Sequence, residues 1–433
     1  MCTNWSQDDH NGAIRLPRGE SYLLCSGLYL SPVGPAMLTI FYLLVLEQIV
    51  QGLYNLWDGL RWLRLAQRRA AGHSGFYAPR VALFCPVKGA EPGLEQNLVA
   101  LASFDYPDYE IFFAMASADD PARKIVERLA ASGKRKIHVV IAGRPEGCGE
   151  KVNNLRAAVQ QAREGFDVFV FADSDGRPSR SWLSKLVAPL ADSGLGAVTT
   201  FRWLFRQSGG LCSALASAWN APGATYLGEH QRNFCWGGGT AIRREHFEQS
   251  NVFEYWNGSV SDDLSLTHAL RQTGLPILFA AECIVPTVFD CDAAGLVEFT
   301  NRQIIITRVY ESRLWVLGGF AHLLYCGAIL LGVGLYLTNL ILGAPAFHLL
   351  LLAMAPPVLS MGRGVLRLAA IMEILPEWKT KLLTDSWIWT FLAAIVPFLA
   401  LWNTLVAMFT RQIRWRGIRY QLLSPGQTRV LMR

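Results

Sequence analysis

Between residues 314 and 362 the chain contains no Asp, Glu, Lys or Arg. An uncharged run of that length does not fit inside a water-soluble core, but a bilayer takes roughly 20 apolar residues per helix. It therefore suits two spans, with the turn near "LGAPAFH" (342–348). Residues 28–57 hold no Lys or Arg and a single acid, Glu47, and residues 386–410 are again uncharged, so each is long enough for one more span. The first run follows a polar leader (1–27) without a short basic start, which favours an anchor over a cleaved signal.

Orientation follows from Arg61, Arg64, Arg68 and Arg69 after the first run, against Arg15 and Arg18 before it. The excess of basic residues marks the cytosolic side, so the large middle region should face the cytosol. The basic "RQIRWRGIRYQ" after the last run also favours the cytosol, which three C-terminal spans would forbid. The segment 367–383, with Trp378, Lys379 and Lys381, forms part of another crossing or lies in the interface; the interfacial reading is preferred. The net charge of +6 gathers beside apolar runs, a pattern suited to anionic headgroups and not to nucleic acid. The nine Cys form no CxxC pair, and they read as free buried thiols, not a zinc site.

Between residues 79 and 312, short β-branched or aromatic runs alternate with helical patterns: "VALFCPV", "YEIFFAMA", "KIHVVIAG", "VFVFAD" and "GAVTTF" against "GLEQNLVALASF", "PARKIVERLAAS", "KVNNLRAAVQQARE" and "WLSKLVAPLADS". This predicts an α/β domain with a mostly parallel sheet. Ligands of such sheets bind beyond the carboxyl ends of the strands, so the loops after them are where chemistry is sought.

Those loops carry acids and lysines. In "DSDG", Asp173 and Asp175 are one residue apart, so both carboxylates can meet one hard cation and a diphosphate; a solvated turn is the plain alternative. Asp119 and Asp120 precede Pro121 and suit a helix cap as well as a nucleotide contact. Lys151 opens a helix from which it can reach a diphosphate, and Asn153 or Asn154, here taken as Asn154, can hydrogen-bond a base or sugar. Lys88 and Glu91 are nucleotide contacts or solvated loop residues. The glycines of "FCWGGGTAIRREHFE" permit close backbone approach or make a tight turn. Asp262 and Asp263 open another helix, as a cap or as a general base. Arg302, Arg308 and Arg313 in "FTNRQIIITRVYESRLW" read as snorkelling side chains of an interfacial helix.

Taken in order, "PVKGAEPGLEQNL", "FDYPDYEIFFAMASADDPA", "KVNNL", "DSDG", "WGGGTAIRREHF" and "SDDLSLTHAL" resemble a membrane-bound family-2-type glycosyltransferase of the ceramide glucosyltransferase branch. The resemblance implies a GT-A-like (Rossmann-like) fold, with Asp120 holding the nucleotide, Asp173 and Asp175 a Mn²⁺ or Mg²⁺ ion, and Asp263 acting as catalytic base. It implies a UDP-sugar donor and inversion at the anomeric carbon. One element departs: where the family has Gln or Arg, two residues, then Arg-Trp, this chain reads "RQIII", keeping Arg302 but placing Ile305 and Ile306 at the Arg and Trp positions. Arg308 is the candidate replacement cation.

The expected organisation is a leader (1–27), an anchor (28–60), a cytosol-facing transferase domain (79–313), a transmembrane and interfacial region (314–410) and a basic tail (411–433). The expected activity is transfer of a hexose, glucose first, to the hydroxyl of a membrane lipid such as ceramide, at a bacterial inner membrane or an internal eukaryotic one. The rivals are a processive polysaccharide synthase and a non-catalytic scaffold that binds a nucleotide sugar.

Overall fold

A computed structural model describes residues 34–71, 77–133, 135–162 and 165–432. The leader and the start of the first apolar run, 28–33, lie outside the described residues. Strands β1 (Val81–Pro86), β2 (Tyr109–Met115), β3 (Ile137–Ile141), β4 (Val168–Ala172), β5 (Ala197–Thr199), β6 (Arg202–Phe205), β7 (Gly239–Arg243), β8 (Ile277–Phe279) and β9 (Val285–Val288) build the middle region. Seven of them form one sheet in the order β3-β2-β1-β4-β7-β5-β8, and β6 pairs with β9 beside it.

The interior strands are near-continuous apolar runs because both faces are covered. Helices Leu94–Leu101, Ala122–Ala131 and Trp182–Val187 close one face. Helices Glu150–Gln161 and Asp262–Gln272 close the other. Strands β1 to β4 are mutually parallel where they pair, and β7 runs antiparallel between β4 and β5.

From β1 the chain winds outward through β2 to β3, then returns to lay β4 on the other side of β1. That reversal opens a crevice at the carboxyl ends of β1 and β4, where open α/β sheets bind ligands. The loop bearing Lys88 and the "DSDG" turn flank it. Antiparallel β7 sets Gly239 opposite Ala172 and so brings the three glycines to the same edge.

Among the described residues, three helices are long and apolar enough to cross a membrane: residues 35–70, Ser312–Ile341 and 347–374. The helix Pro35–Ala71 has 37 residues. At 1.5 Å per residue that is about 55 Å, well beyond a hydrocarbon core of about 30 Å. Its surplus, with Trp62, Leu65 and Ala66, packs with Trp203 and Phe205 of β6 and with Trp389, and so ties the sheet domain to the membrane region. The segment 367–383, expected at the interface, instead finishes the third span as far as Ile374; Pro376 then ends the helix, since it lacks the donor the helix needs.

The basic tail expected over 411–433 is instead a three-stranded antiparallel sheet, β10 (Gln412–Trp415), β11 (Ile418–Ser424) and β12 (Gln427–Met432). Ile413, Ile418, Tyr420 and Leu422 turn inward while Arg414 and Arg419 turn out, an alternation of period two behind the basic charge. This sheet touches the α/β domain directly: the Tyr420 hydroxyl accepts a hydrogen bond from the Glu150 amide (3.2 Å). Both therefore lie on one side of the membrane. The remaining pair, Ser386–Ala394 and Val396–Phe409, is bent by 61°, the geometry of a broken span or a re-entrant loop; with candidate spans 312–341 and 347–374 leading out and back, the shared side of domain and tail favours the loop.

Candidate active site

Helix Asp262–Gln272 owes its position to a buried polar knot. The Tyr310 hydroxyl accepts from the Val260 amide (2.9 Å) and shares a hydrogen bond with Ser259 Oγ (2.9 Å), which in turn meets Ser265 Oγ (2.7 Å). Ser261 is the N-cap and accepts from the Leu264 amide. Asp262 and Asp263 thus enter the crevice from the helix start, where the backbone dipoles favour negative charge.

Lys151 forms the centre of the charged cluster. Its Nζ lies 2.8 Å from Asp173 Oδ1 and 3.1 Å from Asp262 Oδ2. Burial disfavours its charge, but Asp173, Asp262 and Asp263 more than reverse this and hold it protonated. Burial likewise pushes Asp173 up, yet the ammonium beside it brings its carboxyl below the usual range. Asp175 is raised by burial and then by the charge of Asp173, with Arg202 3.8 Å away as a weak counter-ion. Asp262 is pushed up to about 7, chiefly by burial, with Lys151 opposing and Asp263 and Asp173 adding. Asp263 is half-buried, and its hydrogen bonds, from Ser261 Oγ (2.5 Å) and its neighbour's amide (2.8 Å), all go to Oδ1. Oδ2 makes no hydrogen bond among the described residues.

The glycines explain how the acids fit. A Cβ on Gly237 would stand 2.2 Å from Asp262 Oδ2 and 2.7 Å from Lys151 Nζ, and one on Gly238 would stand 2.7 Å from Asp173 Oδ2 and 2.3 Å from Trp236 Cζ2. Only hydrogen leaves room. Gly238→Ala is expected to displace Asp173 and lower kcat/KM by about 10²-fold, the usual cost of a misplacement of about 1 Å. Steady-state kinetics checks this, with the melting temperature separating displacement from unfolding.

A cavity of about 980 Å³ runs from this cluster to the membrane helices. Lys88, Glu91, Lys151, Asn154, Asp173, Asp175, Asp263 and Arg302 all line it. Asn153 does not take the contact open to it, because its side chain donates to the carbonyls of Ala142 and Gly143. Asn154 Oδ1 is buried without a hydrogen-bond partner. Asp120 is absent from this wall. Its Oδ1 accepts from the amides of Gly89 and Ala122 (both 2.9 Å), capping its own helix and bracing the Lys88 loop.

Arg308 does not replace the missing cation. It donates to the Ala407 carbonyl and lies over Trp315 (5.2 Å), committed to packing. Ile305 and Ile306 are buried against Ile413, Ile418, Tyr420 and Leu422, which is why apolar residues stand there. Charge and ring enter instead from the C-terminal sheet: Trp415 and Arg416 line the cavity, and the Arg302 guanidinium sits 5.0 Å from the Trp415 ring centre. Arg202, also on the wall, comes from β6. The period-two pattern of residues 412–422 was the available signal for the first two; nothing local marks Arg202.

No group of three or more His, Cys, Asp or Glu converges on a metal position among the described residues. Asp173 and Asp175 nonetheless fit a Mg²⁺ or Mn²⁺ ion completed by phosphate oxygens, because such ions use one or two carboxylates with substrate phosphates. Asp175 Oδ1 is buried without a hydrogen-bond partner among the described residues, which suits a ligand atom for a cation.

The model of glycosyl transferase family 21 matches residues 40–428. A 97-residue stretch is 29% identical to Ceramide glucosyltransferase 1 of Caenorhabditis elegans, covering 22% of this chain and 20% of that protein, so the match spans about a fifth of the relative's length. Among solved structures, the mannosyltransferase PcManGT from Pyrobaculum calidifontis, in complex with GDP-Man and Mn²⁺, is 16% identical at a TM-score of 0.45, covering 84% of this chain and 99% of that one. Glucosyl-3-phosphoglycerate synthase from Mycobacterium tuberculosis, in complex with Mn²⁺, UDP-Glc and glycerol 3-phosphate, is 16% identical at a TM-score of 0.32, covering 56% and 82%. With a family match across nearly the whole chain, on a sheet that gathers its acids at the crevice beside β1 and β4, the protein belongs to glycosyl transferase family 21.

Proposed function

We propose that the protein transfers a hexose, glucose first, from a UDP-sugar to the hydroxyl of a membrane lipid, with ceramide as the first acceptor to test. The transferase domain would face the cytosol, as the basic residues after the first span suggest. One observation carries the reading: the cavity that holds the acids continues between two membrane-region helices, lined by Gly318, Gly319 and His322 on one and Val396, Ala400 and Thr404 on the other. Gly318 has open space where a Cβ would be, while Gly319 closes on Thr404, so the slot has a floor. A sugar acceptor in water needs no such slot; a lipid does.

In this reading Asp263 takes the proton from the acceptor hydroxyl through its free Oδ2 as that oxygen attacks the anomeric carbon. One displacement inverts the α-linked donor to a β-glycoside. Lys88, Lys151, Arg202 and Arg302 surround the leaving diphosphate with positive charge. Asn154 offers its unpartnered oxygen to a donor hydroxyl. Asp120 acts on the nucleotide through the loop it braces, and Glu91 lies on the same loop. A divalent ion between Asp173 and Asp175 would neutralise the diphosphate as it leaves.

Detergent-purified protein given UDP-glucose, ceramide and Mn²⁺ or Mg²⁺ is expected to release UDP only when lipid and metal are both present, with one sugar per lipid. A polymeric product would establish the processive rival. Nucleotide binding without release, across several lipids and sugars, would establish the scaffold.

A further inference from the structure

We propose that Arg416, at the tip of the β10–β11 hairpin, binds the donor's diphosphate at the junction between nucleoside and sugar, and that the C-terminal sheet is the arm that delivers it. The proposal rests on the nucleotide-sugar reading above.

Four observations bear on it. A second, smaller cavity of about 280 Å³ adjoins the large one and is lined by Ala116, Ser117, Arg144 and Pro145, at the edge formed by β2 and β3. The two cavities share Lys88, Glu150 and Arg416. A ligand with a planar base in the small chamber and a sugar in the large one would therefore lay its diphosphate across those three residues.

Arg416 also has an unusual backbone. Its φ is +46° and that of Gly417 is +84°. Two left-handed residues in a row make the tight hairpin that normally takes Asn-Gly or Gly-Gly. An arginine there is disfavoured by its Cβ, and such strain gathers at functional sites.

The guanidinium is already aimed at the phosphate position. It donates to the Lys88 carbonyl (2.9 Å) and lies 3.3 Å from Glu91, in the loop after β1, while Lys88 pairs with Glu150 at 2.8 Å. Arg416 thus leans on an exposed acid and Lys88 on a half-buried one, and an incoming diphosphate can replace both.

Burial above all, and then Arg202 and Arg416 against Glu298 and Asp175, bring Arg302 down to about 10. A diphosphate bound beside it would favour its charged form. On binding, Arg416 exchanges Glu91 for phosphate oxygens, and Trp415 beside it keeps Arg302 in place.

The test is Arg416→Asn in the full-length protein, with UDP affinity measured by calorimetry and the melting temperature recorded alongside. Asn suits the left-handed turn, so the melting temperature is expected to hold or rise while the Kd for UDP rises about ten- to a hundredfold, the scale of a hydrogen bond to a charged group. Arg416→Gly, equally at ease in the turn, should behave the same way, and Arg416→Lys should recover part of the affinity. Unchanged UDP affinity in the Asn and Gly variants, with the wild type binding UDP, overturns the assignment alone. A wild type that binds neither UDP nor GDP overturns the donor reading and this inference with it.

Discussion

Asp263→Asn is expected to bind UDP as the wild type does while losing lipid-dependent UDP release by about 10²-fold or more, the scale of a lost general base. The expectation follows from how the two neighbouring acids are held. Asp262 is buried, with its Oδ2 3.1 Å from Lys151 Nζ, so it has little surface to offer an acceptor hydroxyl. Asp263 is oriented through Oδ1 by Ser261 and the helix amide, which leaves Oδ2 to meet a hydroxyl. Asp262→Asn should act differently, loosening Lys151 and weakening donor binding more than turnover. Should Asp262→Asn lose the greater turnover while Asp263→Asn keeps it, the base is Asp262.

Asp175→Asn is expected to stabilise the ligand-free protein and nearly abolish metal-dependent transfer. In the ligand-free fold Asp175 is a half-buried carboxylate beside another carboxylate, with Oδ1 buried and unpartnered among the described residues and its nearest cation 3.8 Å away. Even partial burial disfavours a poorly paired charge. The amide keeps the shape and drops the charge, so the melting temperature should rise. Turnover should fall about 10²- to 10³-fold, the range for removing one electrostatic contributor to a transition state, and the residual rate should no longer respond to Mn²⁺ or to a chelator. A lower melting temperature in the variant would mean that the Asp175–Arg202 pair is structural.

Much of this site was open to sequence reasoning because its signals are local. The run "VFVFAD" reads as a buried strand that stops at an acid, and β4 ends at Ala172, one residue before Asp173. The expected strands and helices of residues 81–200 correspond to β1 to β5 and the helices between them, since each carries its own hydrophobic period. The three glycines, open in sequence to ligand approach or a tight turn, form a turn in which the Gly239 amide donates to the Trp236 carbonyl (3.0 Å), packed closely against Asp262, Lys151 and Asp173.

Other parts needed the folded chain. Asp120 looks like a nucleotide contact in sequence, but it spends Oδ1 on two backbone amides, one of them in a loop 31 residues away. Arg308 stands one helical turn from the missing cation, yet Trp315 and Ala407 claim it. In the tail, basic charge masks the period-two alternation, because the two signals occupy the same residues.

The α/β core, the apolar helices and the loops that carry the acids are legible in the sequence, because strand, helix and span are each set by neighbours a few residues apart. Long-range packing alone sets that the last 22 residues described, from Arg411 to Met432, bring Trp415 and Arg416 to the wall of the crevice. Arg416 and Lys88 are 328 residues apart and meet only because β10 and β11 pack against Ile305 and Ile306 of the helix Ala293–Tyr310. No local pattern encodes a contact of that range; it is set by which apolar faces remain to be covered once the local elements have formed.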